Sequence, residues 1–285
     1  MMINVIPSGR SLGAEIRGMD LSRTLEPADV EKMLVAWSTH LVLLFRDQFI
    51  SDAELISFSR NFGALDLCPP NATGTQHSHQ HPELVIVSNV VVDGKPLGAL
   101  GDGEVRWHSD MSNHPKPPKA SALHALEVSC AGGETEYCNL YAATADLPAH
   151  LRSAIEGKWA NHDGTRDSSG AREHPVEVEG VRAELQHATH PLMRRHPDTG
   201  QPVLYLGRRP NQSIVDMDTE QGEALLDELW AHATQQKYVW SHSWRPGDLI
   251  VWDNRCVMHR RNAFPSDERR VMHRTQVTGD TVIPA

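Results

Sequence analysis

Two short segments that lie far apart in the chain most strongly constrain its fold. Trp107-His108-Ser109-Asp110 lies in the first half of the sequence, and Trp252-Asp253-Asn254-Arg255 leads to His259 near its end. Two histidines and one carboxylate on one face of a metal form a ligand set that leaves the remaining coordination positions open. If these residues bind one metal, the fold must bring 107–110 beside 252–259.

The spacing of His108 and Asp110 predicts that both side chains point into one cavity. In an extended strand, residues i and i+2 lie on the same face, and Ser109 then faces away. The spacing alone is weak evidence, because a chain with 17 histidines is expected to contain about one such pair by chance. His196-Pro197-Asp198 is such a pair, but its central proline and the following Thr199-Gly200 predict a turn rather than a metal site.

The last part of the chain supplies two more predicted strands, at 249–252 and 269–276. On the second strand Arg270, Met272 and Arg274 share a face. This spacing would place the two guanidinium groups about 13 Å apart along the strand, before side-chain reach is counted. One site could then bind two anions.

Several separated motifs occur in an order that resembles the taurine and dichlorophenoxyacetate dioxygenase family. They lie at residues 45–48, 58–63, 108–110, 132–135, 196–200, 252–259 and 269–274. The resemblance covers nearly the whole chain. Members of this family are Fe(II)- and 2-oxoglutarate-dependent oxygenases.

The resemblance implies that His108, Asp110 and His259 bind Fe(II), with 2-oxoglutarate and O2 as co-substrates. Taken alone, His259 would more often be a buried core histidine after an apolar strand. The preceding Trp252-Asp253-Asn254-Arg255 motif favours the metal-binding interpretation. Because halogenating relatives replace the carboxylate with a small residue, the presence of Asp110 favours hydroxylation, with release of succinate and CO2.

The same resemblance implies that Thr135 and Arg270 bind the distal carboxylate of 2-oxoglutarate and that Trp252 belongs to this cofactor site. Arg274 is then expected to bind an acidic substrate. Arginine suits both roles, since its planar fork matches a carboxylate or sulfonate and stays charged in a dry pocket. Thr135 rests on the family pattern alone, because the Gly132-Gly133 pair before it is also typical of an ordinary loop.

The substrate is predicted to be a small organic acid, with an aryloxyalkanoate or related carboxylate favoured. Residues 101–106 do not match the Asn-rich approach to the metal found in taurine enzymes, and the loop at 64–69 lacks their histidine. An alkyl sulfonate or sulfate ester is the alternative. Arg274 also has a structural alternative, as a surface residue paired with Asp280 or Glu268.

Two other functional classes remain open from the sequence. A cupin-like metal hydrolase or isomerase could use the same three ligands with zinc or manganese, without need of Arg270 or oxygen. A non-catalytic jelly-roll binding module would retain ligand affinity after His108→Ala.

Composition favours a single enzyme domain over residues 1–285, with 39% apolar and 22% charged residues. The net charge of −10 argues against nucleic acid or an anionic membrane as a partner. Four widely spaced cysteines predict neither a disulfide framework nor a zinc ribbon, and together with the absence of a leader or spanning segment they favour a cytoplasmic protein. The sequence leaves a homo-oligomer open.

The periodicity predicts mixed α and β structure. Strands are expected within 3–16 and at 41–45, 84–92, 121–128 and 203–206, and helices at 27–39, after a capping box at Ser51, and from Asp218 to Trp230. The resemblance implies a double-stranded β-helix, or jelly roll, with flanking helices. The His-rich segment 76–81 is predicted to be a solvated loop near the mouth of the site, with a second metal site as the alternative, and residues 163–174 are predicted to form a mobile lid.

Overall fold

The computed structural model describes residues 3–68, 78, 80–170, 177–178, 181–182 and 187–285. Half of the predicted His-rich loop, residues 76, 77 and 79, and the end of the predicted lid, 171–174, therefore lie outside the described residues. The α-helices are α1 Pro27–His40, α2 Asp52–Ser59, α3 Leu140–Ala145, α4 Ala149–Ile155 and α5 Thr219–Ala233, and short 3-10 turns span Arg60–Phe62 and Gln236–Tyr238.

The described strands form two principal sheets and several small ones. In chain order they are β1 Asn4–Pro7, β2 Ala14–Arg17, β3 Val42–Phe45, β4 Val85–Ser88, β5 Val91–Val92, β6 Lys95–Pro96, β7 Ala99–Leu100, β8 Val105–His108, β9 Ala120–Glu127, β10 Thr135–Asn139, β11 Trp159–His162, β12 Glu177–Val178, β13 Val181–Arg182, β14 Ala188–Pro191, β15 Met193–Arg195, β16 Pro202–Leu204, β17 Ser213–Ile214, β18 Val239–His242, β19 Leu249–Asp253, β20 Val257–Arg261, β21 Val271–Val277 and β22 Ile283–Pro284. The larger sheet has the order β1-β2-β3-β19-β9-β21-β4-β7, and the smaller has the order β18-β10-β20-β8.

The helix boundaries follow from local chemistry, and the predicted helices are confirmed. Ser51 accepts a hydrogen bond from the backbone of Glu54 at 3.4 Å, while the Glu54 carboxylate accepts one from the backbone of Ser51 at 2.6 Å. This reciprocal pair satisfies the free N–H groups at the start of α2. Asp218 caps α5 by accepting hydrogen bonds from the backbone N–H groups of Glu220 and Gln221, and that helix runs three residues beyond the predicted end at Trp230.

One apolar cluster joins α1 and α2 to a face of the larger sheet. Trp37 of α1 and Phe58 of α2 pack with Phe45 of β3, and their buried side chains are at most 4% exposed. A second cluster, which includes Tyr137 and Val257, involves the smaller sheet and helices α3 and α5. The helices of these two clusters thus pack against the sheets.

The strand predictions are confirmed most fully where the apolar residues lie in the centre of a sheet. The strands predicted at 41–45 and 121–128 are found as β3 and β9. The strand predicted at 84–92 is divided into β4 and β5, because β5 leaves the large sheet and pairs with β6. The strand predicted at 203–206 is found as the shorter β16. No helix within the described residues combines the length and the apolar character needed to cross a bilayer.

The smaller sheet brings the two informative segments of the sequence together. Strand β20 pairs with β8 so that His259 lies opposite His108, and it pairs with β10 so that Arg261 lies opposite Thr135. Residues from four separate parts of the chain therefore meet on this sheet.

Candidate metal and co-substrate site

Three buried side chains converge at the end of β8. Nε2 of His108 lies 3.5 Å from Oδ1 of Asp110, and Nε2 of His259 lies 4.0 Å from the same oxygen. The candidate ligand atoms all lie within 4.8 Å of one another. The side chains of all three residues are buried. The structure therefore brings together the three residues that the sequence selected.

Asp110 reaches the site by a route that the sequence analysis did not foresee. We expected His108 and Asp110 to lie on one extended strand, but β8 ends at His108 and Asp110 lies in the following turn. Met111 closes this turn with a φ of 48°. The common direction of the two side chains therefore comes from the turn and not from strand alternation.

The histidine rings are oriented with Nε2 toward Asp110. Nδ1 of His108 donates to the backbone oxygen of Arg106 at 2.8 Å, which leaves Nε2 for a metal. The His259 ring lies against the ring of Trp252, with 4.7 Å between centroids. Within the described residues, Nδ1 of His259 is buried and has no hydrogen-bond partner. The direction of the two Nε2 atoms toward Asp110 suits a bound cation.

A chain of hydrogen bonds positions the Asp110 carboxylate from behind. Ser121 donates to Oδ2 of Asp110 at 2.6 Å, Asn254 donates to Ser121 at 2.9 Å, and Trp252 donates its indole N–H to Asn254 at 2.7 Å. These hydrogen bonds occupy Oδ2 of Asp110 and leave Oδ1 facing the two histidines. Sequence reasoning missed Ser121 and Asn254, because their contacts depend on the pairing of β9 with β19.

Trp252 contributes to the site through this series of hydrogen bonds and through the packing of its ring. Its indole N–H already donates to Asn254, so a co-substrate would contact only the ring. Trp252 is 1% exposed and packs against His259. The cofactor role expected for Trp252 stays a prediction.

The protonation states of two candidate ligands suit metal binding. Burial alone would raise the pKa of the Asp110 carboxyl, but the Arg274 charge and the two histidines outweigh it and hold that pKa well below its usual range. Burial, reinforced by the charge of His108, lowers the pKa of His259 well below its usual range. Asp110 is therefore ionised and His259 neutral at pH 7.

Arg274 points into the site and not to the surface. Its Nη1 lies 3.2 Å from Oδ1 of Asp110, the oxygen that also faces the histidines. The surface pairs considered for it are wrong, because Glu268 instead accepts bonds from Ser129 and Cys130. Burial raises the pKa of the nearby Cys68 thiol to about 11, with the Arg274 charge opposing the shift. A neutral thiol therefore lies near Arg274.

Arg270 lies just before β21 in a different environment. Its side chain is 2% exposed, and its guanidinium carbon lies 5.8 Å from the centroid of the Phe264 ring. Strand β21 pairs with β4 without interruption from Val271 to Arg274, and the register shift beside Val271 and Met272 comes from one extra residue in β9. Within the described part of the chain, no carboxylate lies within ion-pair distance of Arg270. The site therefore contains a buried cation that an external anion could neutralise.

Thr135 is held with its hydroxyl oxygen already accepting a hydrogen bond. The indole N–H of Trp244 donates to Oγ1 of Thr135 at 2.8 Å. Thr135 is 3% exposed and begins β10. Because the oxygen accepts from Trp244, the hydroxyl proton is available to donate to a carboxylate. This contact could not be predicted from the sequence, since the two residues are far apart in the chain.

Arg261 is a second buried arginine that the sequence analysis did not select. It is 5% exposed, and its guanidinium carbon lies 5.1 Å from the centroid of the same Phe264 ring that Arg270 approaches. Burial lowers the pKa of Arg261 to about 10, with Asp102 opposing. Burial, and then the charge of Arg261, lowers the pKa of Arg270 to about 9. Both arginines are therefore charged at pH 7.

A second group of potential metal ligands is formed by His196, Asp253 and Cys256. Nε2 of His196 donates to Asp253 at 3.2 Å, and Arg255 donates to both oxygens of Asp253 at 2.8 and 2.7 Å. Burial alone would raise the pKa of Asp253, but these bonds outweigh it and hold the pKa well below the usual range. The turn predicted at His196-Pro197-Asp198 is confirmed. Because Asp253 is satisfied by protein donors, we expect no metal here.

The first part of the predicted lid is hydrogen-bonded beside the candidate ligands. The backbone oxygen of Ser168 accepts from the backbone of Arg106 at 2.9 Å. Arg208, which forms a β-bridge with His108, donates to the backbone oxygen of Arg166 and, at 3.3 Å, to Asn113. These contacts connect residues 163–170 to the segment that carries His108.

Comparison with known proteins shows the family of this chain. A family model described as "Taurine catabolism dioxygenase TauD, TfdA family" matches residues 4–276. The chain belongs to the TauD/TfdA family. It is therefore an enzyme of the 2-oxoglutarate-dependent dioxygenase class.

Individual TauD/TfdA relatives match along almost their entire length. The chain is 34% identical to a pentalenolactone F synthase from Streptomyces arenae, over 95% of this chain and 93% of that protein. It is 33% identical to an alpha-ketoglutarate-dependent 2,4-dichlorophenoxyacetate dioxygenase from Burkholderia sp. (strain RASC), over 93% and 91%. A crystal structure of a taurine dioxygenase from Burkholderia xenovorans superposes with a TM-score of 0.80 at 31% identity, covering 99% of this chain and 91% of that one.

Proposed function

We propose that this enzyme uses Fe(II), 2-oxoglutarate and O2 to hydroxylate a small organic acid, releasing succinate and CO2. An aryloxyalkanoate or a related carboxylate is the favoured substrate class. The observation that carries the proposal is the position of Arg274, whose guanidinium contacts Asp110 beside the two histidines. A substrate acid bound by Arg274 would lie next to the candidate metal.

The residues of the site fit an Fe(II) ion. Two imidazole nitrogens and one carboxylate form the facial set typical of non-heme Fe(II) oxygenases. His259 presents a neutral ring and Asp110 an ionised carboxylate, the states that metal binding requires. When bound, Fe(II) with 2-oxoglutarate and O2 supplies the oxidising chemistry, and the protein supplies position and charge.

The remaining side chains would bind and orient the two acids. Thr135 would donate its hydroxyl proton to the distal carboxylate of 2-oxoglutarate, while the buried charge of Arg270 neutralises that carboxylate. Trp252 would hold the His259 ring in place. Residues 163–170, joined to β8 through Ser168 and Arg208, would exclude water from the site.

The surroundings of Arg274 support an acidic substrate, and the sequence and one relative favour a carboxylate among the acids. The Cys68 thiol near it is neutral at pH 7, so Arg274 would be the principal charge that meets the substrate acid. The sequence also lacks the Asn-rich approach and the histidine that mark taurine enzymes. The printed name of the Burkholderia sp. relative, a 2,4-dichlorophenoxyacetate dioxygenase, favours the same class.

An alkyl sulfonate or sulfate ester is the second candidate. The TauD/TfdA description and the similarity to a taurine dioxygenase support it, since a sulfonate has the charge and donor requirements that Arg274 satisfies. A cupin-like hydrolase or isomerase is a much weaker alternative, because it would need neither Arg270 nor oxygen.

The proposal extends to the organisation of the protein. The two principal sheets, flanked by helices, would form a double-stranded β-helix, or jelly roll, and residues 1–285 would form one catalytic domain. We expect a small-molecule substrate, no nucleic-acid or membrane partner, and a cytoplasmic location. A homo-oligomer is compatible with this proposal.

The deciding experiment measures succinate release from 2-oxoglutarate by the Fe(II)-loaded protein after oxygen is added. The acids supplied would be aryloxyalkanoates, alkyl sulfonates and alkyl sulfates of matched size. Stimulation by the aryloxyalkanoates above the others is the expected result. Stimulation only by sulfonates or sulfates would select the alternative substrates, and oxygen-independent turnover would select the hydrolase or isomerase.

A further inference from the structure

Arg261 extends the candidate co-substrate pocket beyond the residues assigned above. On β20, His259 and Arg261 are buried, whereas the intervening Arg260 is half-buried and bonds to Glu136 at 2.6 Å. This alternation places Arg261 on the same face of the strand as His259. Its partner across the sheet is Thr135.

The two arginines share one aromatic wall. Their guanidinium carbons lie 5.1 Å (Arg261) and 5.8 Å (Arg270) from the centroid of the Phe264 ring. A Cβ added at Gly133 would lie 3.6 Å from Phe264 and 3.7 Å from Nε of Arg270, so Gly133 forms another part of this wall. Thr135 follows Gly133 closely in the chain. The pocket is therefore bounded by an aromatic ring, backbone and two cations.

Most of the hydrogen-bonding capacity of Arg261 is unused within the described structure. Nη2 donates to the backbone oxygens of Leu100, at 3.0 Å, and of Gly103. Nε and Nη1 are buried and have no partner among the described residues. Three of the five N–H donors of an arginine belong to those two nitrogens. Burying such donors beside a second cation is costly unless an anion satisfies them.

We propose that Arg261 and Arg270 bind the distal carboxylate of 2-oxoglutarate together, with Thr135 as a third donor. This proposal rests on the proposed function and adds a specificity residue to it. Two guanidinium groups would discriminate strongly against 2-oxo acids that lack the distal carboxylate, because such a ligand leaves both charges buried and unpaired. Nη2 would keep its bonds to Leu100 and Gly103, and would hold Arg261 in place.

The test compares two ligands that differ only at the distal end. Calorimetric titration of the Mn(II)-loaded protein with 2-oxoglutarate and with 2-oxopentanoate measures binding without turnover. In Arg261→Met, the affinity for 2-oxoglutarate should fall by about tenfold or more, and that for 2-oxopentanoate should change less than about twofold. Arg260→Met is the matched control on the neighbouring residue and should leave both affinities unchanged.

The competing explanation is that Arg261 serves only to stabilise the loop at Leu100 and Gly103 through its hydrogen bonds to their backbone oxygens. Equal losses for the two ligands in Arg261→Met, or no loss for either, would overturn the proposal. If that variant does not fold, Arg261→Gln keeps an N–H donor for the loop carbonyls but removes the charge, and the same selective loss is expected. Failure of the wild-type protein to bind 2-oxoglutarate would instead contradict the proposed function itself.

Discussion

Nη1 of Arg274 lies 3.2 Å from Oδ1 of Asp110, so the candidate substrate-binding cation contacts a candidate metal ligand. The same oxygen faces Nε2 of both His108 and His259. Once Asp110 binds a metal, we expect its hold on Arg274 to weaken, and the guanidinium can then turn to an external acid. This relationship would couple metal binding to substrate binding.

Arg274→Gln should raise the KM for the organic acid by about tenfold or more, because a charge-assisted bidentate contact is lost. The affinity for Mn(II) should not fall, since removing a cation near Asp110 cannot weaken binding of another cation there. Initial rates and a metal titration measure the two effects. Arg269→Gln, which removes an exposed arginine bonded to Glu127, is the control. A loss of metal affinity with unchanged KM would contradict the substrate role.

Asp110→Ala and His259→Ala should each abolish both metal binding and substrate-stimulated succinate release. Each removes one of three ligand atoms that converge in a buried site. The matched control is His196→Gln in the second group of potential ligands, which should keep one metal per chain. Binding of two metals by the wild-type protein, with one lost in the control, would show that the second group is also a metal site.

Ser121→Ala should lower metal affinity by roughly 10- to 100-fold, the usual effect of losing a hydrogen bond that orients a ligand. Ser121 donates to Oδ2 of Asp110 and accepts from Asn254, so its loss frees the carboxylate to rotate. A competition titration with a metal chelator measures the change. Ser59→Ala removes another fully buried hydroxyl and should leave metal affinity unchanged. Equal affinities in the two variants would argue against a positioning role for Ser121.

Trp244→Phe should weaken 2-oxoglutarate binding several-fold without weakening metal binding. The indole donates to Oγ1 of Thr135, and without that bond the hydroxyl is free to rotate away from the co-substrate. Calorimetric titration of the Mn(II)-loaded protein measures this loss. Trp230→Phe, which removes an indole bond to Gln212 elsewhere, is the control. The prediction is wrong if both variants bind 2-oxoglutarate as tightly as the wild type.

Asp253→Asn should destabilise the protein by about 3 kcal/mol at pH 7, because it removes the buried partner of Arg255 and leaves that charge paired only with the exposed Asp198. The pKa of Asp253 is lowered in the folded state, so its contribution is fully present above the unfolded pKa of about 4 and is lost as pH falls further. The difference between wild type and variant should therefore shrink below about pH 4.

Urea unfolding at several pH values measures this difference in the free energy of unfolding. Asp280→Asn at an exposed position is the control and should change stability by less than about 0.5 kcal/mol. A difference between wild type and Asp253→Asn that stays constant down to pH 3 would contradict the assignment.

The prediction from sequence was most successful where the cause is local. The capping box at Ser51 and the cap at Asp218 are complete within a few residues, so the helices that they begin could be predicted. The candidate ligands His108, Asp110 and His259 could also be named from the sequence, because the resemblance to a known family points to them where the spacing alone does not. Even so, the prediction that Asp110 lies on an extended strand is wrong, since Asp110 lies in the turn after β8 and this turn points its side chain into the site.

The sequence by itself determined the candidate metal ligands, the principal helices and the arginines at 270 and 274. Only the tertiary structure decided which contacts surround them: Ser121 with Asp110, Trp244 with Thr135, and Arg261 with Phe264. Two of these contacts join segments that become neighbours through strand register and sheet order, and the third depends on how the loop after β20 folds back onto Arg261. Local periodicity carries no information about register between distant strands, because that register is set by packing of the whole sheet.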